Sequence, residues 1–101
     1  PIALAMRQVF DYFTADNPDI LNSEKFLFEG RNYDMKYTNK EEGFLDLSRS
    51  NNQTTLLKLN LDQNQIVVAR GLTDEDRLNW QQYSNYITTQ QQNNRDRGLE
   101  R

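Results

Sequence analysis

The chain contains no histidine and no cysteine. The usual general base near neutral pH and the strongest side-chain nucleophile are therefore both missing. Carboxylates, amines, hydroxyls and phenols remain. The densest carboxylate group is Asp74-Glu75-Asp76, directly after Thr73. Acidic residues behind a threonine mark the start of a helix, where the dipole favours negative charge, and that is a simpler reading than acid–base catalysis. Asp62 and Asn64 have the spacing of the first ligands of a calcium loop. The glycine and terminal glutamate such a loop needs are absent, and a hairpin turn accounts for both residues. Asp16, Asn17 and Asp19 surround Pro18 and read as a turn. The glycines, Gly30, Gly43, Gly71 and Gly98, are isolated, so no glycine-rich loop can cradle a phosphate. The expectation is a non-enzymatic protein with no catalytic residue, no metal site and no cofactor.

Two other constellations could bind rather than react. Arg31, Tyr33 and Tyr37 recur at even spacing, with Lys36, Arg49, Lys58 and Arg70 nearby. Aromatic platforms beside basic groups are what a single-stranded nucleic acid needs. On a strand, Arg31, Tyr33 and Tyr37 share one face and Lys36 takes the other. This reading requires both tyrosines to face solvent. The net charge of −3 and the interleaved Asp34, Glu41, Glu42, Asp46 and Asp62 work against it. The second constellation is apolar. Phe44 and Leu56 alternate out of phase with the leucines beside them, and Leu4 and Leu78 fall on polar helix faces. If Phe44 and Leu56 are cross-strand neighbours, they make an outer-face patch of the kind that marks an interface.

The elements that must carry these residues are legible from periodicity. Ile2, Met6, Val9, Phe10 and Phe13 recur at helical spacing, which predicts a helix from about Ile2 to Thr14, stopped before Pro18. Ile20 and Leu21 anchor the connection. Phe26-Leu27-Phe28 reads as a short strand. Tyr33, Met35 and Tyr37 alternate with polar residues, as do Leu45 and Leu47, and Leu57, Leu59 and Leu61. Polar turns separate these runs. Ile66-Val67-Val68-Ala69 is β-branched and reads as a central or doubly covered strand. Thr73 is placed as an N-cap with Asp76 as the capping-box acid. Trp80, Tyr83 and Ile87 form the buried stripe of the helix that follows.

The predicted fold class is α+β: an N-terminal helix, an antiparallel meander of four to five strands, and a C-terminal helix packed on the sheet. Residues 1–90 are expected to form a single domain and residues 91–101 a polar tail, either a frayed extension of the last helix or a loose end. Leu57, Leu59, Leu61, Ile66, Val68, Trp80, Tyr83 and Ile87 are expected to share one core. At the level of topology alone, a meander followed by a helix is similar to single-strand binders of the Pur-alpha and Whirly type, but no motif supports more. No apolar run is long enough to span a membrane, and the short apolar start lacks the basic residues of a signal peptide, so the expected setting is cytoplasmic. The function expected first is a small self-associating interaction module. It would act through a sheet face, an unpaired edge strand or a helix, with Phe44, Leu56 and Leu78 as partner-binding residues. The partner is a second copy or another protein. The alternative is a single-stranded nucleic-acid-binding domain using Arg31, Tyr33 and Tyr37.

Overall fold

A computed structural model describes residues 2–99, with side-chain surroundings through residue 92. The order of elements is helix α1 (Ile2–Asp16), a 3₁₀ turn (Pro18–Asn22), strands β1 (Lys25–Glu29), β2 (Tyr33–Asn39), β3 (Gly43–Arg49), β4 (Asn52–Asn60) and β5 (Gln65–Ala69), then helix α2 (Asp74–Leu99). This is an α+β arrangement with a five-stranded antiparallel meander. The chain resolves into two compact units. One is the segment Asn17–Leu72, which holds the sheet; the other holds the two helices.

Within the sheet unit, strands pair in sequence order, β1-β2-β3-β4-β5, and the sheet stays open. Successive residues alternate faces, so the register defines rows across the strands. Phe28, Met35, Leu47, Leu57 and Ala69 form one row, and Phe26, Tyr37, Leu45, Leu59 and Ile66 form another. The middle of both rows is buried: Met35, Tyr37, Leu45, Leu47, Leu57 and Leu59 are each at most 4 % exposed. Exposure rises toward both edges, reaching 36 % at Phe26 and 54 % at Ile66. Ile66–Ala69 is therefore an edge strand, not a central one, and Ile66 lies outside the core it was expected to join. A meander places its last strand at the rim whatever its composition. Val68 and Leu61 are half-buried.

The hairpins explain several sequence choices. The Gly30 amide donates to the Tyr33 carbonyl at 2.9 Å. A Cβ at position 30 would lie 2.7 Å from that oxygen, so the close approach demands glycine. Asn64 turns the chain from β4 to β5 at φ 53°, a left-handed conformation that asparagine tolerates. Gly71, at φ 72°, ends the unit. The Leu21 carbonyl accepts from the Tyr37 hydroxyl and the Asn39 side-chain amide, both at 3.0 Å, and Ile20 beside it is buried.

In the helical unit, α1 buries Ile2, Ala5, Met6, Phe10 and Thr14. Phe13, assigned to the same stripe, is 47 % exposed, whereas Thr14 is buried with its hydroxyl bonded to the Phe10 carbonyl. α2 buries Trp80 and Ile87, with Tyr83 edge-on to Trp80 at 5.2 Å between ring centroids. Gln8 of α1 and Ser84 of α2 are joined by a side-chain hydrogen bond. α2 begins where the capping signal placed it and continues through residues 91–99. Of the two forms expected for the polar tail, the helical extension is the one described, as far as Leu99. Glu100 and Arg101 lie outside the described residues. The run Gln90-Gln91-Gln92 holds no Pro or Gly, so nothing in it stops a helix already nucleated.

Candidate functional site

The outer sheet face carries the polar chemistry. Lys36, Asp46 and Lys58 lie in one cross-strand row between Leu27 and Val68. Asp46 thus sits between two amines, and it also accepts from the Thr55 hydroxyl at 3.2 Å. Phe44 lies beside this row, with the Lys58 amine 4.8 Å from its ring centroid. Glu42 accepts from the side-chain amides of Asn60, at 2.9 Å, and Gln63, at 3.3 Å. Lys36, Glu42, Phe44, Asp46 and Lys58, with Thr38, Lys40 and Glu41, line a shallow depression of about 550 Å³. Its amines and carboxylates balance. Glu42 and Asp46 are held by amide and hydroxyl partners, and the aromatic floor is capped by Lys58.

The residues singled out for nucleic acid do not assemble. Tyr33 and Tyr37 are 7 % and 4 % exposed. The condition for stacking was that they face solvent, and their burial on the apolar sheet face removes both platforms. Tyr37 is further committed by its bond to the Leu21 carbonyl. Burial, and then the Asp62 carboxylate, raises the Tyr37 phenol above its usual pKa. Arg31 remains exposed in the β1–β2 hairpin, where its carbonyl accepts from the Ser50 hydroxyl.

The expected Phe44–Leu56 patch does not form either. Phe44 is opposite Asn60, and Leu56 is buried. The cause is a β-bulge. Leu47 pairs with Leu57 but Ser48 pairs with Thr55, so Leu56 is the extra residue and the alternation breaks there. The bulge lets Leu56 and Leu57 both be buried, and Leu56 Cδ2 lies 3.6 Å from where a Cβ on Gly71 would sit. Leu78 is exposed on α2, as its place in the helical period indicates.

The two sheet edges differ. On β5, Lys58 pairs with Val68 and Leu59 with Ile66, leaving Val67 as an extra residue in mid-strand. A bulge at that point twists the edge and interrupts its hydrogen-bonding row. β1 runs opposite β2 for its whole length without a register shift. Asn39 donates to the Glu24 carbonyl and Gly30 to the Tyr33 carbonyl. These bonds flank the strand and set its alternation: Phe26 and Phe28 exchange hydrogen bonds with β2, while the backbone groups of Lys25, Leu27 and Glu29 point away from the sheet. Phe26 and Leu27 are 36 % and 45 % exposed on this edge. Comparison with protein families, with characterised proteins and with solved structures finds no match.

The apolar run Phe26-Leu27-Phe28 predicts a strand, but not that the strand lies at the edge of the sheet. Lys25 and Glu29 bracket the apolar residues symmetrically, which gives a segment that is complementary to itself when reversed.

Proposed function

We propose that this chain is a non-enzymatic interaction module that acts by self-association through an open edge of its sheet. One observation carries the reading: β1 is a regular edge strand that, among the described residues, pairs with β2 alone, and Phe26 and Leu27 on it are exposed apolar side chains. Such an edge offers a row of unsatisfied backbone donors and acceptors to another chain, and two-fold pairing is the commonest way to close it. With Leu56 buried, the reading rests on the edge of the sheet and not on the outer sheet face. The non-enzymatic part is supported by Glu42 and Asp46 of the outer depression, whose carboxylates are held by amide and hydroxyl partners. Among the described residues, no group of three histidine, cysteine or acidic side chains could hold a metal. No helix among them is long and apolar enough to cross a membrane.

Sedimentation velocity from micromolar to millimolar concentration tests the reading. The sedimentation coefficient should rise with concentration toward that of a dimer. A chain that stays monomeric across the whole range overturns it.

A further inference from the structure

We infer that the contact is β1 against β1: the strand pairs antiparallel with the same strand of a second copy, about a two-fold axis passing through Leu27. This deepens the self-association reading and rests on it. The pairing joins the two sheets edge to edge into one continuous sheet.

The backbone fixes the first part of the argument. Lys25, Leu27 and Glu29 are the residues whose amide and carbonyl groups point outward. With the axis at Leu27, Leu27 faces its own copy and Lys25 faces Glu29 at both ends. Every facing pair on the hydrogen-bonded positions then consists of two outward-pointing residues, so all the free donors and acceptors of the strand are used. Phe26 faces Phe28 of the second copy at the intervening positions, where side chains approach more closely. The two rings already touch within one strand at 4.9 Å between centroids, so the pairing builds an aromatic row across the junction.

Charge fixes the register. Lys25 meets Glu29 twice, once on each side of the axis. Moving the axis to Lys25 or Glu29 sets like charges face to face. Moving it to Phe26 or Phe28 shortens the overlap and places Leu27 opposite a charge. Strand side chains repeat every two residues, so these are the neighbouring registers that keep each side chain on its own face. Only the Leu27 axis pairs the whole strand with opposite charges matched. The β5 edge has no comparable device. It carries no charged residue between Gln65 and Ala69, and Val67 interrupts it.

The contact is small. A five-residue strand pair covers less than the roughly 1,200–2,000 Å² of a standard stable complex. The expected dimer is therefore weak, micromolar or weaker, which sets the range over which it must be measured.

The test exchanges the charges. Lys25→Glu alone gives a strand with glutamates at both ends, and Glu29→Lys alone gives lysines at both ends. Each variant, measured by sedimentation, should dimerise at least about tenfold more weakly than the unmodified chain, because like charges now face each other at both ends. Mixed together, the two variants should recover the dimer as a one-to-one hetero-pair. Lys25→Glu/Glu29→Lys in one chain should restore self-association. Far-ultraviolet circular dichroism and Trp80 fluorescence check that each variant folds. Should a single variant misfold, Leu27→Arg, at an exposed position on the axis itself, should also abolish the dimer. Single variants and Leu27→Arg that dimerise as tightly as the unmodified chain would overturn the β1 contact and leave self-association standing. An unmodified chain that is monomeric at millimolar concentration would overturn both.

Discussion

Thr73 and Asp76 hold each other at the start of α2. The Asp76 amide donates to the Thr73 hydroxyl at 3.1 Å, and the Thr73 amide donates to the Asp76 carboxylate at 2.9 Å. This reciprocal capping box satisfies two donors that a helix start would otherwise leave open. Asp76 is 2 % exposed, so water cannot replace the contact if it is broken. Thr73→Ala should lower stability by about 1 kcal/mol, and Thr73→Ser should be close to neutral. Asp76→Ala should cost about 1–3 kcal/mol, because it strands a donor. Urea denaturation followed by Trp80 fluorescence reads all three. A larger loss for Thr73→Ala than for Asp76→Ala would contradict the account.

Leu59 and Ile66 are register partners with opposite surroundings. Leu59 is 2 % exposed and Ile66 is 54 % exposed. Leu59→Ala should cost about 2–5 kcal/mol, the usual range for emptying a packed site. Ile66→Ala should cost less than about 1 kcal/mol, as surface substitutions do. Equal losses in a denaturant titration would mean that β5 is covered after all.

That pair also shows what the sequence could and could not reveal. The alternation of Tyr33, Met35 and Tyr37, and of Leu45 and Leu47, is visible in one dimension because strand geometry acts on neighbours. The capping box is local too, and was legible residue by residue. Strand position is not local. Ile66-Val67-Val68 has the composition of a central strand, but whether a strand is flanked depends on the order of pairing. The bulge at Leu56 was hidden for a related reason. One extra residue on β4 leaves the hydrophobic pattern unchanged while breaking its phase, and only the partner strand reveals it. Tyr33 and Tyr37 were correctly placed on one face; the alternation alone did not say that this face is the buried one. The symmetry of Lys25 and Glu29 about Leu27, on which the proposed β1 contact rests, is visible in the sequence, but it acquires meaning only once β1 is known to be an edge.

Glycine at two positions is a backbone requirement. Gly30→Ala would press a Cβ to 2.7 Å from the Tyr33 carbonyl oxygen, so the β1–β2 hairpin must shift. Gly71→Ala places a side chain at φ 72°, a strain of about 1–2 kcal/mol. Asn64→Gly, at φ 53°, should be tolerated within about 0.5 kcal/mol. Thermal unfolding of the three variants should therefore lower the midpoint for the first two and leave the third nearly unchanged. A neutral Gly30→Ala would show that the hairpin is looser than the close approach implies.

Tyr37 couples stability to alkaline pH. Its phenol is raised above the ordinary value of 10.0 by burial and by Asp62, so the folded state prefers the neutral form. The unfolded chain ionises first. The stability from this group is complete below about pH 10 and is lost as pH rises through the raised folded value. Tyr37→Phe should remove this contribution to the alkaline loss. At neutral pH it should cost about 0.5–1.5 kcal/mol for the bond to the Leu21 carbonyl. Chemical denaturation at pH 7 and above pH 10 compares the two chains. An identical alkaline loss in Tyr37→Phe would assign it to other groups.

Amide hydrogen exchange at two protein concentrations tests the β1 contact most directly. The amides of Phe26 and Phe28 face β2 and should be protected at both concentrations. The amides of Lys25, Leu27 and Glu29 face outward, so in a dilute sample they should exchange as open groups. In a concentrated sample they should become protected together, in step with the mass of the dimer. Leu27 exchanging freely while the protein sediments as a dimer would contradict the account, because the chains would then be meeting somewhere other than this strand.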